Sequence, residues 1–394
     1  MKKLAFLFIG LSLLLNLFFI SIDIIPIIRN KVAYPTFISN PIVYEDYKSL
    51  VWKRSLCYLE YDKPLMAMKE RSSFDNELRS LGNKEHEADE DPLFYYHRAF
   101  LYLGIAKYLN NFPETETKTR KIVNRFYAAI SVNDTLKSIH YVDQIPFALA
   151  SIYFYKLTSI ACFKEFADNA YLYLLLKDSE SGILYRDGGT IQLSDVLGMV
   201  VPFLYEYASS FNVPKASEVA NKQLTLYYKY GVDKETGIPS HGYNLKTKVK
   251  IGSSNWGRGI GWYTLALCCS DILPSDSLTY QFLLDSKSED NIYNQFIGNI
   301  SEFDMSASLL IQYSLLKRKK LSCNDVQKCI LNFYMYRTSL KGDVFYTSGD
   351  TKAPNQYSRN FGYSELSQGL MLMIFSELFQ NEKENSHIDF ASSL

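Results

Sequence analysis

A helical repeat of about fifty residues constrains the fold of this 394-residue chain more than any other feature. Apolar residues recur at helical spacing in stretches that begin near Pro41, Asp91, His140, Gln192, Arg258, Glu302 and Gly362. Second helices are predicted between several of these stretches, at residues 117–129, 161–176, 214–230 and 322–336. Each unit is therefore interpreted as a helical hairpin, and a repeat of this period predicts stacked or ring-closed helix pairs.

The loops that connect the hairpins favour a closed ring of helix pairs over an open stack. The pattern D-x-E-[ST]-G-I occurs at residues 178–183 and again at 233–238, with a degenerate copy at 341–346. The loops differ in length and carry clusters of Gly, Trp, His and Arg, whereas an open solenoid has a stricter consensus and polar capping units. Loops of unequal length that carry ligand-binding residue types are typical of a pocket at the mouth of a closed toroid. We therefore expect an all-α fold, an (α/α)6 barrel of six hairpins over residues 32–380, followed by a polar tail at residues 381–394.

Residues 1–31 differ from the rest of the chain. Lys2 and Lys3 precede a long apolar run, which is typical of an export signal. No small-x-small cleavage site closes the run, and it is long enough to span a bilayer. We predict an uncleaved membrane anchor, with a cleaved signal peptide as the alternative, and therefore a protein of the cell envelope.

Composition excludes several functional classes. The 42 basic residues are balanced by 42 acidic residues, so the chain lacks the basic excess of a general nucleic-acid binder. The six cysteines show no C-x-x-C pair or other metal-ligand spacing, and there is no nucleotide-binding G-x-x-x-x-G-K-[ST] or H-E-x-x-H motif. We expect neither a metal nor a cofactor. The oligomeric state does not follow from the sequence.

The densest group of candidate binding residues lies at residues 240–262. Trp256, Arg258 and Trp262 are interleaved with glycines, and His241 and Tyr243 precede them. Glycines let a backbone approach a ligand closely, a guanidinium binds a carboxylate through two hydrogen bonds, and a flat indole stacks on a sugar ring. The alternative interpretation is a glycine-rich turn held by core aromatic residues.

Two acidic residues are candidates for acid/base chemistry. Asp195 begins an apolar helical stretch, where it is either a helix cap or a buried carboxyl able to act as a general acid. Asp143 has the same placement 52 residues earlier, close to one repeat, so a ring would bring both to one end. Two carboxyl groups at one mouth are what acid/base chemistry on sugars requires.

At these residues the sequence resembles the unsaturated uronyl hydrolases of glycoside hydrolase families 88 and 105, and the rhamnogalacturonyl branch most. The resemblance rests on D-x-x-x-M-x-x-P-F-L at residues 195–204, H-G-[aromatic]-[DN] at 241–244 and W-G-R-G-x-G-W at 256–262, and it extends over residues 45–380. It implies an (α/α)6 barrel that removes a Δ4,5-unsaturated uronic acid from lyase-generated oligosaccharides without a metal or nucleotide. It also implies that Asp195 is the general acid/base, that Asp143 is its partner, and that His241, Arg258 and Trp262 line the uronate site.

One position departs from the family pattern. Family members usually carry Asn before the last Gly-Trp pair, where this chain has Ile260. The alkyl side chain removes two hydrogen-bond donors and an acceptor, which predicts altered specificity or reduced activity. Two alternatives therefore stay open: a non-catalytic glycan-binding or envelope-polysaccharide assembly protein on the same barrel, and another six-hairpin enzyme such as a saturated-sugar glycosidase or a uronate lyase.

Overall fold

The computed structural model describes residues 2–21, 35–61, 93–186, 188–270, 272, 276–351 and 353–392, and thirteen α-helices make up most of this part of the chain. The helices are α1 Lys2–Phe19, α2 Tyr44–Tyr58, α3 Tyr96–Asn111, α4 Glu116–Ile130, α5 Ile145–Thr158, α6 Ala161–Lys177, α7 Ser194–Phe211, α8 Pro214–Gly231, α9 Gly257–Leu267, α10 Asp276–Ser286, α11 Met305–Lys317, α12 Cys323–Cys329 and α13 Glu365–Ser392. A short π-helix, Ile330–Tyr334, and a 3-10 turn, Met335–Arg337, extend α12.

Six of these helices form a closed inner ring. Helix α3 packs on α5, α5 on α7, α7 on α9, α9 on α11, α11 on α13, and α13 again on α3. The intervening helices alternate with them along the chain and lie outside the ring. Burial separates the two sets, because α3 buries thirteen of its sixteen residues whereas α4 buries four of fifteen. The predicted six-hairpin architecture is confirmed for the described residues.

The ring closes where α3 and α13 approach each other at two glycines. A Cβ on Gly104 would lie 2.2 Å from the carbonyl oxygen of Gly369, and a Cβ on Gly369 would lie 2.1 Å from that of Phe100. Neither position accepts a side chain, since real Cβ atoms do not come within 3.0 Å of backbone atoms. The first and last inner helices therefore pack backbone against backbone.

The helices of the repeat were predicted in the right places, but the first one was wrongly assigned as an inner helix. Inner helices begin at Ile145, Ser194 and Gly257, close to the predicted starts, while the start predicted at Asp91 lies outside the described residues. The stretch that begins near Pro41 is not the first inner helix. It forms α2, which packs on α13 and so supplies the outer helix of the last hairpin. Helix α10 was not predicted.

The recurring D-x-E-[ST]-G-I loops have a conformational cause. Their glycines, Gly182 and Gly237, have φ angles of 86° and 72°, and Gly342 in the degenerate copy has 93°. Residues with side chains rarely adopt these angles, so the turn that reverses the chain after each outer helix requires glycine at this position.

Short antiparallel strands cover one end of the barrel. Strands β1 Ser131–Val132 and β2 Thr135–Leu136 form one pair, and β6 Thr347–Ser348 and β7 Phe361–Gly362 form another. The third sheet has the order β3-β4-β5, with β3 Ile191–Leu193, β4 Gly242–Asn244 and β5 Lys250–Ile251. It joins the loop before α7 to the loop before α9.

The predicted ends of the chain are only partly tested. Within the described residues, no helix combines the length and the apolar character needed to cross a membrane. The anchor is therefore unconfirmed, and its predicted boundary at residue 31 lies outside the described residues. The boundary predicted at residue 381 falls inside α13, which continues to Ser392. All six cysteines are free.

Candidate functional site

A cavity of about 540 Å³ opens at the end of the barrel where the inner helices α7 and α9 begin. This volume lies within the range of small-molecule sites, roughly 300–1,000 Å³. Its wall combines aromatic and ionisable side chains, which include Tyr96, Tyr185, Asp195, His241, Trp256 and Asp350. The predicted pocket at the mouth of the ring is therefore present, and it carries groups suited to a polar ligand.

Strand pairing brings the two main sequence motifs together. In the register of β3 with β4, Leu193 lies opposite Gly242, so the next residues outward are Ser194 and His241. The Ser194 amide donates to the His241 carbonyl oxygen at 2.9 Å, which continues the ladder by one bond. Helix α7 starts at this point, and the side chain of Asp195 in its first turn therefore lies beside the His241 imidazole.

Asp195 and His241 form a close pair on the cavity wall. Oδ2 of Asp195 lies 3.2 Å from Nε2 of His241, and the two side chains are 17% and 2% exposed. On its other side, His241 Nδ1 lies 3.3 Å from both the Pro354 carbonyl oxygen and the Tyr357 hydroxyl. That hydroxyl donates to the Pro354 carbonyl at 2.6 Å and accepts from the Ser253 amide at 2.7 Å. The imidazole is thus held on both nitrogens.

The distance and orientation of Asp195 and His241 allow the two side chains to share a proton. The Pro354 carbonyl only accepts hydrogen bonds, and the Tyr357 hydrogen is already donated to it, so Nδ1 of His241 must carry a hydrogen. A neutral imidazole then presents a lone pair at Nε2, which would face the lone pairs of an ionised Asp195. One proton between Oδ2 and Nε2 removes this repulsion, and it is positioned for delivery into the cavity.

Asp195 is not the helix cap of α7. The residue at the cap position is Leu193, and Asp195 makes no capping hydrogen bond with the backbone. Its carboxyl group therefore lies at the positive end of the helix without being engaged by the backbone amides. The helix-cap interpretation of Asp195 is therefore not supported, and its role as a general acid stays a prediction.

Asp143 lies at the same end of the barrel but behind the cavity wall. It belongs to the 3-10 turn Val142–Gln144 that leads into α5, and it is 8% exposed. The Tyr185 hydroxyl, which lines the cavity, donates to its Oδ2 at 3.2 Å. Burial raises the pKa of Tyr185, and the nearby carboxylates Asp143, Asp195 and Asp350 raise it further. Asp143 therefore reaches the cavity through Tyr185, rather than forming part of its wall as expected.

Arg258 lines the cavity, but its hydrogen-bonding groups are engaged within the protein. Its Nε donates to Ser306 Oγ at 2.9 Å, Nη1 to Asp350 at 3.3 Å, and Nη2 to the Ser348 carbonyl and hydroxyl. Asp304 adds a second carboxylate 4.0 Å from Nη2. Although burial lowers the pKa of Arg258, these carboxylates hold it above its usual value. Its charge is balanced before any ligand enters, which argues against the predicted role as receptor for a substrate carboxylate.

Asp350 is a cavity residue that the sequence did not reveal. Its Oδ1 accepts from the Tyr96 hydroxyl, and it lies 3.3 Å from both His97 Nε2 and Arg258 Nη1. Burial alone would raise the pKa of Asp350, but His97, Arg258 and Tyr96 hold it well below its usual range. Asp350 is therefore ionised. In the sequence it is one acidic residue in a polar loop, and its partners lie about 90 to 250 residues away.

Trp256 lies on the cavity wall, as predicted. It precedes α9, is 2% exposed, and packs its ring 4.2 Å from that of His241 and 5.3 Å from that of Tyr357. The indole therefore forms part of the wall and also fixes the imidazole that faces Asp195.

Trp262 and Tyr243 lie in the core, which corrects their predicted role in ligand binding. Trp262 is 1% exposed, packs 5.3 Å from the Phe100 ring, and fills the space that a side chain at Gly198 would need. Tyr243 is 1% exposed and packs edge-on to Tyr227. For these two residues the alternative of core aromatics holding a glycine-rich segment is the right one.

Ile260 also points into the core. It is 1% exposed, belongs to the continuous hydrophobic core, and does not line the cavity. The side chain of Ile260 therefore takes no part in the cavity wall, and its effect on specificity or activity stays a prediction. Within the part of the chain that the structure describes, no group of three or more His, Cys, Asp or Glu side chains is arranged to hold a metal ion.

Comparison with known proteins identifies the family. The sequence model of Glycosyl Hydrolase Family 88 matches residues 70–292, which is more than half of the chain and includes Asp143, Asp195, His241, Trp256 and Arg258. The chain belongs to glycosyl hydrolase family 88. No curated protein sequence matches it significantly.

Solved structures similar to this family 88 chain support the fold. A possible member of family 105 from Klebsiella pneumoniae has a TM-score of 0.68 at 16% identity, covering 88% of this chain and 96% of that one. An unsaturated glucuronyl hydrolase specific for heparin gives 0.59 at 16% identity, covering 86% and 97%. An inactive variant of an α-1,6-mannanase from Salegentibacter gives 0.58 at 12% identity, covering 86% and 99%. Because the last has another activity, such structural likeness shows the fold alone.

The engagement of Arg258 predicts that its replacement affects stability first. A lysine at position 258 keeps the charge but cannot reach Ser306, Ser348 and Asp350 together. We expect Arg258→Lys to lower the free energy of unfolding by about 2–4 kcal/mol in urea titrations, because several buried partners of the guanidinium are left without a hydrogen bond. Arg120→Lys, in an exposed pair on α4, is the control and should change stability by less than about 0.5 kcal/mol. If Arg258→Lys leaves the stability unchanged and raises KM, Arg258 binds the substrate after all.

Proposed function

We propose that this family 88 protein removes a Δ4,5-unsaturated uronic acid from the non-reducing end of oligosaccharides that polysaccharide lyases produce. The observation that carries the proposal is the Asp195–His241 pair, which lies on the wall of a sugar-sized cavity with Oδ2 and Nε2 3.2 Å apart. Membership of the family supports a glycoside hydrolase, and the aromatic and ionised cavity wall suits a polar, anionic sugar. The reaction needs a proton donor and water, both of which this site accommodates.

The proposed reaction is hydration of a vinyl ether. Asp195 gives the shared proton to C4, the C4–C5 double-bond electrons form the new C–H bond, and positive charge develops at C5 and the ring oxygen. Water adds at C5 and returns a proton to the Asp195–His241 pair. The resulting hemiketal opens to a ketone at C5, and the hemiacetal left at C1 releases the rest of the oligosaccharide as an alcohol. Atoms balance with one water consumed.

Arg186 is our candidate for binding the substrate carboxylate. It lines the same cavity, its side chain is exposed, and its guanidinium makes no hydrogen bond or ion pair with any residue that the structure describes. Arg258, by contrast, is balanced by Asp304 and Asp350. A free guanidinium gains two hydrogen bonds from a carboxylate, whereas an engaged one must first give up its own. The proposal therefore moves the carboxylate site from Arg258 to Arg186.

Asp195→Asn tests the proposed acid. The amide cannot supply the proton, so we expect turnover of unsaturated glucuronyl and rhamnogalacturonyl disaccharides to fall by about 10²- to 10⁴-fold, followed as loss of ultraviolet absorbance from the conjugated double bond. Asp168→Asn, on the outer helix α6, should leave turnover unchanged. Retained turnover in Asp195→Asn would exclude this role. A folded wild-type protein inactive on every such substrate would instead favour the glycan-binding alternative.

Arg186→Met tests the carboxylate site. Loss of one charge-assisted contact should raise KM about 10-fold, with a smaller change in kcat, because the contact is made in the bound ground state as well. Arg120→Met removes an exposed guanidinium far from the cavity and is the matched control. If KM is unchanged in Arg186→Met and raised in Arg258→Lys at equal stability, the carboxylate lies at Arg258 instead.

We also propose that the protein is exported to the cell envelope and held there by its N-terminal segment. The support is that Lys2 and Lys3 begin helix α1 and that the large apolar side chains which follow them, such as Phe6 and Phe8, are exposed. Cell fractionation should find the full-length chain with the membranes. Its recovery from the cytosolic fraction would contradict the proposal.

A further inference from the structure

Two residues of the cavity wall each keep a buried polar atom without a hydrogen-bond partner among the described residues. These atoms are Oδ2 of Asp350 and Nε1 of Trp256. Buried polar groups in folded proteins are almost always hydrogen-bonded, so each exception calls for an explanation. Here both exceptions lie on the wall of one cavity, and one of them belongs to an ionised carboxylate, for which an unmade hydrogen bond is especially unfavourable.

The surroundings of Asp350 fix which of its oxygens is available. The Tyr96 hydroxyl, His97 Nε2 and Arg258 Nη1 all lie at Oδ1. These contacts come from two inner helices, α3 and α9, and they set the position of the carboxylate. All of these donors are therefore directed to one oxygen, and Oδ2 is left without a donor from any residue that the structure describes.

Trp256 offers the complementary group. Its indole Nε1–H is a donor only, and the ring is fixed against His241 and Tyr357. Two residues of the cavity wall therefore carry one unpartnered acceptor and one unpartnered donor, and their neighbours hold both in place before a ligand binds. An alcohol group both donates and accepts, so hydroxyl groups satisfy either atom, whereas a substrate carboxylate is repelled by ionised Asp350.

We infer that Asp350 Oδ2 and Trp256 Nε1 bind the two ring hydroxyls of the substrate, and that the hydroxyl edge of the sugar docks on this wall with its carboxylate toward Arg186. The inference rests on the proposed function. It accounts for the number of unpartnered atoms, because a Δ4,5-unsaturated uronic acid linked through C1 keeps only two free hydroxyls, at C2 and C3. Asp350 is thus a residue that determines specificity for hydroxylated sugars.

Calorimetric binding in the full-length Asp195→Asn protein tests this without turnover. The ligands are an unsaturated glucuronyl disaccharide, its 2-deoxy and 3-deoxy forms on the unsaturated ring, and a saturated glucuronide. With the full ligand, we expect Asp350→Asn to weaken binding by roughly 10- to 100-fold and Trp256→Phe by about 2- to 10-fold. In each variant, one of the two deoxy ligands should bind with nearly the same affinity as the full ligand, because the hydroxyl it lacks has already lost its partner. Trp52→Phe, whose indole bonds Glu114 outside the cavity, is the control.

The outcomes separate the inference from the proposed function. Equal losses on the full and both deoxy ligands would mean that Asp350 acts only through Tyr96, His97 and Arg258, and would overturn the inference. Trp256→Phe loses no hydrogen bond to a described residue, so an unchanged affinity in that variant would also overturn it. Hydroxyl-dependent binding of the saturated glucuronide but not of the unsaturated ligand would support the inference and contradict the proposed function. No binding of any ligand would overturn both.

Discussion

The backbone contact between α3 and α13 at Gly104 and Gly369 closes the ring of inner helices, and the functional cavity depends on that closure. Because the ring is closed, the beginnings of α3, α7 and α9 face the same space. Their first turns contribute Tyr96, Asp195 and Arg258 to one wall, although these residues are far apart in the chain. A side chain at either glycine would separate the first and last inner helices and so change the cavity.

Some charged side chains of the cavity wall are paired within the protein, whereas others are available to bind a ligand. Arg258 is held between Asp304 and Asp350, and hydrogen bonds to Ser306 and Ser348 complete its surroundings. This network is buried, and its two carboxylates already compensate the charge of Arg258, so the guanidinium has little to offer a substrate carboxylate. The Asp195–His241 pair and Arg186 lie outside it. The proposed chemistry uses Asp195, His241 and Arg186, which make no contact of this network, and His241 is held instead by Pro354, Tyr357 and Trp256.

Sequence periodicity was sufficient to predict the architecture, since helical spacing of apolar residues and recurring turn glycines are local signals. The presence of Asp195 and His241 at one site could also be predicted from the sequence, because both belong to motifs that resemble one family. Sequence alone did not show which aromatic residues line the cavity wall and which lie in the hydrophobic core. Trp256 and Trp262 lie six residues apart, and only the packing of α9 against Gly198 shows that Trp262 faces inward.

Asp350 shows why part of the site could not be predicted. It follows no helix-start or repeat signal, and its surroundings are set by Tyr96, His97 and Arg258, which the ring brings to it from distant segments. The wrong assignment of the first repeat helix as an inner helix has a similar cause. Helix α2 has the apolar pattern of any repeat unit, and its place outside α13 follows from ring closure rather than from its own residues.

The central claim is that the Asp195–His241 pair delivers a proton to carbon rather than to a glycosidic oxygen. The most direct measurement is to run the reaction in D2O and locate the label in the early product by NMR. We expect one deuterium at C4 of the released sugar, with a ketone at C5, and no such product from Asp195→Asn. Release of the aglycone with the C4–C5 double bond intact and no deuterium at C4 would show ordinary glycoside hydrolysis and contradict the account.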